Sequence, residues 1–254
     1  MVMVPCERWF ADDCPDPLFC NPCSGLTGAD CPAGGLRIKV MQRFMEEDLD
    51  RPVYSVLQTI QRRIMHESTY FGIKTLKSPT DFWVYQELIY AAMPDVVVEI
   101  GNYHGGSALA LAHLLDAMDH GRVIAVDINH SPIAESARCH PRITFIEGDA
   151  CEMFESVKSI VSAGDRVMVI EDSSHEFENT LNVLNAYQSL LGKDDFFIVE
   201  DTICHHGLRV GPKPGPYEAV EAFISGNKSF AIDRDKESFF ITWNPKGYLK
   251  RVSD

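Results

Sequence analysis

The chain has 254 residues, enough for one domain of ordinary size with an added arm. Hydrophobic residues make up 45% and charged residues 24%, the balance of a soluble globular protein. Lys plus Arg is 23 against 37 Asp plus Glu; the net charge of −14 disfavours nucleic acid, and no apolar run reaches the roughly eighteen residues of a membrane span.

The N-terminus, MVMVPCERWF, lacks the basic start and apolar stretch of a signal peptide, so a cytoplasmic location is expected. Residues 1–35 read as an irregular arm rich in Pro, Gly and Cys. It holds Cys6, Cys14, Cys20, Cys23 and Cys31, with one C-x-x-C and no nearby histidine. Zinc at these thiolates and a plain arm with reduced thiols both remain open. Residues 36–93 form a helical region. RIKVMQRFMEEDL and VYSVLQTIQRRIMHE repeat apolar residues at helical steps, and Ser78-Pro79-Thr80 starts a helix running over residues 81–93.

From residue 94 the pattern alternates to the end of the core. DVVVEI, RVIAVDI, ITFIEGD, RVMVIED and FFIVEDT read as strands. SALALAHLLDAM, PIAESARC, EMFESVKSIVSA and FENTLNVLNAYQSLL read as the helices between them. Such alternation predicts right-handed crossovers and a buried parallel sheet. After the loop HHGLRVGPKPGP and the short helix YEAVEAFI come SFAIDRD and SFFITWN, too close together for a crossover helix. They are expected to pair antiparallel at the sheet edge. The fold class is therefore α/β: a doubly wound, mostly parallel, Rossmann-like sheet of seven strands with an antiparallel edge pair and N-terminal helical additions.

A glycine turn, Gly101-Asn102-Tyr103-His104-Gly105-Gly106, follows the first strand. Tyr103 stands where a dinucleotide turn needs glycine for close approach of the pyrophosphate, which argues against a nicotinamide cofactor. No Walker lysine follows it. Glu99, Asp127 and Asp149 end successive strands, and ligands of open α/β sheets bind at those ends. Asp127 is placed for a ribose diol. A glycine turn with acidic strand ends suits S-adenosylmethionine, which has no phosphate and carries a sulfonium and an ammonium.

A second constellation lies on the next strand ends. Asp172, Glu200 and Asp201 would repel one another in one cleft unless a hard cation such as Mg²⁺ neutralised them. The plain alternative is helix caps and strand-end charges. The remaining histidines, His66, His113, His120, His130 and His140, read as solvated residues of helices and loop ends. His104 sits in the glycine turn and could help enclose a ligand. Phe223, Phe230, Phe239 and Phe240 read as core.

GIKTLKSPTDFWVYQ, DVVVEIG, GGSAL, VDI, DSSH, VEDT and NPKGYLKR, taken in order, resemble the rhamnosyl O-methyltransferase / cephalosporin hydroxylase family of class I S-adenosylmethionine-dependent methyltransferases. The resemblance runs from about residue 70 to residue 251. It implies a methyltransferase core over residues 94–254 that uses S-adenosylmethionine and Mg²⁺. The cofactor cleft would be lined by Glu99, Gly101, Tyr103, Ser107, Asp127, Ile128, Asp149, Ala150 and Asp172. Asp172, Glu200 and Asp201 would hold the metal. In the similar catechol O-methyltransferases a lysine occupies the place that His175 takes here, which puts His175 first as general base, on the first turn of the next helix. His206 and then His205 are its rivals. Imidazole accepts protons readily at neutral pH.

The resemblance further implies a small-molecule acceptor, a sugar hydroxyl or a glycosylated natural product, walled by the loop over residues 205–217 and the N-terminal arm. A homo-oligomer is expected, with neither nucleic acid nor membrane as partner. Two other functions are weighed against this one. One is a nicotinamide-dependent oxidoreductase. The other is a non-catalytic cofactor-binding partner of a tailoring enzyme.

Overall fold

The computed structural model describes residues 44–253. The chain has two compact units, and the second, Val53–Asp254, carries the fold. Of the first, the described residues form one short 3-10 turn, Met45–Glu47, within the stretch where a helix is expected over residues 37–49. The five N-terminal cysteines, and with them the zinc reading, lie outside the described residues.

Helix α1 (Val53–Glu67) is amphipathic and buries Leu57 and Ile64 against Ile203, Leu208 and Trp243. A two-stranded hairpin follows, β1 (Thr69–Tyr70) and β2 (Ile73–Lys74). Helix α2 (Pro79–Ala92) starts as its sequence predicts. The Ser78 side chain accepts the Asp81 N–H, and Pro79 takes a first-turn position where its missing N–H costs nothing. Its face Val84, Tyr85, Leu88 and Ile89 packs on the main sheet.

The main sheet has the order β5-β4-β3-β6-β7-β9-β8. Its parallel members are β3 (Val96–Ile100), β4 (Arg122–Asp127), β5 (Ile143–Glu147), β6 (Val167–Glu171) and β7 (Phe196–Val199). Strands β3, β6 and β7 are buried along their whole length, which is why they read as unbroken apolar runs. Each fully buried Val, Ile or Phe contributes about 1.5–3 kcal/mol. The crossover helices α3 (Gly106–Met118), α4 (Glu135–Arg138), α5 (Ala150–Ile160) and α6 (Phe177–Tyr187) join them, and α7 (Pro216–Gly226) precedes the edge. The chain winds outward from β3 to β5, then returns to the other side of β3 with β6. The crevice at the carboxyl ends of β3 and β6 is therefore the switch point where open α/β sheets take ligands.

Three expectations are corrected. The antiparallel edge pair exists, but it is β8 (Phe230–Ile232) with β9 (Tyr248–Arg251), and β9 inserts between β8 and β7. SFFITWN forms no strand, because α2 captures its end: Asp81 accepts the Trp243 N–H at 2.8 Å and the Thr242 hydroxyl. Phe239 and Phe240 are consequently exposed, while Phe223 and Phe230 are core. His130 is buried rather than solvated, its ring edge-on to Phe145.

Candidate active site

Glycine at position 101 is required by the closeness of two strand ends. Its φ is +84°, and a Cβ there would lie 2.0 Å from the Asp172 carbonyl oxygen. No side chain fits, so β3 and β6 can deliver Gly101 and Asp172 to the same point. The turn after Gly101 is held by Asp127. Its Oδ2 accepts the N–H groups of Asn102 and Tyr103, both at 2.9 Å, and its Oδ1 accepts that of Asn129 at 3.1 Å. Tyr103 adopts a left-handed conformation and is partly exposed beside the turn, with the Lys74 ammonium 5.5 Å from its ring centroid. His104 Nδ1 lies 3.0 Å from the Pro132 carbonyl, tying the turn to the segment after β4.

The other cofactor candidates gather around this crevice in different ways. Glu99 is fully buried, and burial pushes its carboxyl up to about 7, with Lys77 drawing it back. Ser107 is buried in the first turn of α3. Ile128 is 68% exposed just past β4, an apolar side chain that a flat ligand could cover. Asp149 caps α5, accepting the N–H groups of Cys151 and Glu152, and Ala150 starts that helix. Asn102 is buried with both atoms of its amide lacking a hydrogen-bond partner, a polar group left over at the turn.

The carboxylates Asp172, Glu200 and Asp201 lie at the ends of β6 and β7. Asp172, His175 and Asp201 converge, with ligand atoms all within 4.8 Å of one another. His175 Nε2 stands 3.8 Å from Asp172 Oδ1 and 3.4 Å from Asp201 Oδ2. Two carboxylates and an imidazole at that separation are a donor set for a hard or borderline divalent cation. Glu200 is buried and hydrogen-bonded to the Lys77 ammonium, which also bonds Asp172. Burial, reinforced by Asp172, holds the Glu200 carboxyl well above the usual range. Burial raises the Asp201 carboxyl as well, against the pull of His175. The expected trio Asp172, Glu200 and Asp201 thus gathers at the same strand ends, with His175 beside Asp172 and Asp201 and the Lys77 ammonium between Asp172 and Glu200.

His175 is also not on the first turn of α6. It lies in the turn before it, at a φ of +58°, and Glu176 is the N-cap. That left-handed residue swings the imidazole back toward the two aspartates. Asp201 is fixed similarly, with a φ of +54° and its N–H donated to Asn244 Oδ1 at 3.2 Å. Asn244 in turn donates to the Tyr85 hydroxyl at 2.7 Å, so α2 positions Asp201 through the C-terminal segment. The rival histidines are engaged elsewhere. His205 Nε2 lies 3.0 Å from the Gly211 carbonyl. His206 stacks on Tyr217 at 3.6 Å, its Nε2 2.9 Å from Glu218.

Lys77 is the residue that motif and spacing did not single out. Its Nζ lies 2.6 Å from Asp172 Oδ2 and 3.7 Å from Glu99 Oε1, besides its bond to Glu200. Burial alone would lower its pKa, but Asp172, Glu200 and Glu99 outweigh that and raise it well above the ordinary lysine value. Its only sequence signal is its place in GIKTLKSPTDFWVYQ.

The doubly wound sheet, with its acidic crevice beside a glycine turn, has the architecture of the class I methyltransferases. The chain belongs to the rhamnosyl O-methyltransferase/CmcI family, whose model matches residues 62–252. It is 34% identical over 229 residues to the rhamnosyl O-methyltransferase of Mycobacterium leprae (strain TN), covering 85% of this chain and 99% of that one. The Mycobacterium tuberculosis (strain ATCC 25618 / H37Rv) protein of the same name is 31% identical over 192 residues, 73% of this chain and 78% of that one. Among solved structures, the CmcI structure described as "cmcI-D160 Mg-SAM" superposes with a TM-score of 0.59 at 25% identity, over 73% of this chain and 77% of that one. The O-methyltransferase TomG from Streptomyces achromogenes, at 16% identity and a TM-score of 0.52 over 80% and 91% of the two chains, shares the fold. Family membership removes the nicotinamide alternative.

Proposed function

We propose that this chain is a Mg²⁺-dependent O-methyltransferase acting on a sugar hydroxyl of a glycosylated small molecule. The observation that carries the reading is the convergence of Asp172, His175 and Asp201 at the switch point, beside the glycine turn. The relatives' name, rhamnosyl O-methyltransferase, supports a sugar acceptor, and the CmcI structure named for Mg and SAM supports the metal and cofactor.

The residues fit both groups. When bound, S-adenosylmethionine supplies an electrophilic methyl group and the divalent cation makes a nearby hydroxyl more acidic. Asp127 and Asp172 make the crevice negative, complementary to a cationic cofactor. Asp127 fixes the turn that borders it. Asp172 and Asp201 would hold the cation and align the acceptor hydroxyl. His175 sits 3.4 Å from Asp201, within reach of a hydroxyl held there, and takes its proton at Nε2. Glu200, beside Asp172 on the Lys77 ammonium, is the third carboxylate that would join Asp172 and Asp201 at the cation.

The decisive experiment is methyl transfer from radiolabelled S-adenosylmethionine to a rhamnosylated glycolipid and to its deoxy analogue, with and without EDTA. Label in the rhamnoside alone, lost in EDTA and restored by Mg²⁺, is the expected result. Equal transfer in EDTA removes the metal from the reading; transfer to neither acceptor removes the sugar. A non-catalytic partner would bind S-adenosylhomocysteine and transfer nothing to any hydroxyl offered.

A further inference from the structure

The backbone bonds of β7 diverge at its carboxyl end. The Val199 N–H goes to the Gly247 carbonyl of the C-terminal segment at 2.8 Å, and the Glu200 N–H to the Glu171 carbonyl of β6 at 2.9 Å. The Asp201 N–H donates instead to a side chain, the Asn244 amide oxygen at 3.2 Å, where the chain turns to a φ of +54°. A left-handed residue other than glycine is uncommon and persists where its surroundings hold it. That turn brings the Asp201 carboxylate to 3.4 Å from the His175 imidazole.

Asn244 is fully buried and is itself held from several sides. Its backbone N–H donates to the Thr242 hydroxyl at 2.9 Å, and its carbonyl accepts the Gly247 N–H at 2.8 Å. Because its amide oxygen accepts a backbone N–H, its amide nitrogen is the atom that donates to the Tyr85 hydroxyl, at 2.7 Å. The Thr242 and Tyr248 hydroxyls both donate to Asp81, which ties the segment on either side of Asn244 to α2. We propose that Asn244 is a positioning residue for Asp201: its amide, oriented by Tyr85, fixes the left-handed turn that aims the Asp201 carboxylate at Asp172 and His175. The inference rests on the metal reading given above.

The physical consequence is a preformed ligand. A carboxylate already aimed loses less freedom when a cation arrives, and removing the partner that orients a ligand costs roughly 10–100-fold in metal affinity. Both ends of the Asn244 amide are committed to Asp201 and Tyr85, so it acts through Asp201 and not as a ligand. Asn244→Leu keeps much of the volume and leaves the Asp201 N–H without its acceptor. Asn244→Asp keeps one oxygen for that N–H and offers the other to the Tyr85 hydroxyl as donor, so the turn should survive.

The test uses the full chain and three readouts: Mn²⁺ binding by electron paramagnetic resonance, S-adenosylhomocysteine binding by calorimetry, and amide hydrogen exchange by NMR without metal. Asn244→Leu should bind Mn²⁺ at least about tenfold more weakly than wild type, with S-adenosylhomocysteine affinity within about threefold. Its residue 201 amide should exchange at least about tenfold faster, while that of Val199 keeps its protection. Asn244→Asp should restore Mn²⁺ affinity to within about threefold of wild type or better. An asparagine that merely supported the fold would weaken both ligands together and speed exchange at both amides. That pattern, unchanged Mn²⁺ affinity in Asn244→Leu, or an equal loss in Asn244→Asp overturns the inference. If wild type binds no Mn²⁺, the metal reading falls and exchange decides alone: acceleration confined to residue 201 keeps the hold of Asn244 on that turn, and any other result removes it. If Asn244→Leu does not fold, Tyr85→Phe, which frees the amide without adding volume, should weaken Mn²⁺ by about threefold or more and spare S-adenosylhomocysteine. Unchanged Mn²⁺ affinity there overturns the inference.

Discussion

The Asp127 carboxylate accepts the backbone N–H of Tyr103 at 2.9 Å, and so ties the end of β4 to the glycine turn after β3. The same oxygen holds the N–H of Asn102. Asp127 therefore shapes the crevice before any ligand arrives. Asp127→Ala removes a charged acceptor and frees the turn. Affinity for S-adenosylhomocysteine, measured by calorimetry, should fall at least about tenfold, since a bond to a charged group is worth about 1.5–3 kcal/mol. Unchanged affinity would take Asp127 out of the cofactor site.

Gly101 tests the claim that two strand ends must touch. Gly101→Ala puts a methyl 2.0 Å from the Asp172 carbonyl oxygen, at a φ of +84°. Overpacking costs about 1–3 kcal/mol and a left-handed alanine roughly 1–2 kcal/mol more. Chemical denaturation should show a loss of about 3 kcal/mol, accompanied by weaker cofactor binding. A variant as stable as wild type would contradict the close approach of β3 and β6.

Asp201→Asn and Asp172→Asn each remove a charged donor from the group formed by Asp172, His175 and Asp201. Both should weaken Mn²⁺ binding by at least about tenfold. Asp201→Asn should leave S-adenosylhomocysteine binding near wild type, because Asp201 sits on the acceptor side in this reading. Wild-type Mn²⁺ affinity in both variants would dissolve the metal site.

His175 stands at a metal ligand's distance and at a base's distance, and two readouts separate the roles. As a base, His175→Ala should lower kcat by roughly 10²-fold or more with little change in KM, and keep Mn²⁺ affinity. The acidic limb of the pH–rate profile should vanish with it. A fall in Mn²⁺ affinity would make the imidazole a ligand. Retention of most of the rate and of the acidic limb would exclude it as the base, and His206→Ala and His205→Ala then become the variants to assay.

Glu99 gives the folded protein a pH dependence of known sign. Burial raises its carboxyl from 4.5 to about 7. A carboxyl raised on folding keeps its proton in the native state after the unfolded chain has released it. Its contribution is therefore fully present below pH 4.5 and is lost as pH rises toward 7. Glu99→Gln, neutral at every pH, should flatten the fall in stability of the ligand-free protein between those values. Parallel wild-type and variant curves in denaturant titrations would show that Glu99 stays ionised.

The sequence alone determined the sheet, because a strand buried on both faces leaves an unbroken apolar run and a crossover helix leaves a 3.6-residue period. VVVEI, VMVIE and FFIV are legible for that reason. Gly101 and Asp127 were legible too, since a turn between strand and helix constrains neighbours in sequence. What only the tertiary structure decided is which charges meet. Lys77 and Glu200 are 123 residues apart, and no local pattern encodes their contact. The pairing of β9 with β7 was hidden likewise, because Asp81 of α2, not the propensity of SFFITWN, decides which C-terminal segment becomes the strand. Helical periodicity extends α6 back to His175, but a single left-handed φ takes that residue off the helix and toward Asp172 and Asp201. Periodicity reports what is buried along one element. The partners of a buried charge are set by elements folded from distant parts of the chain, and by the need to neutralise that charge where they meet.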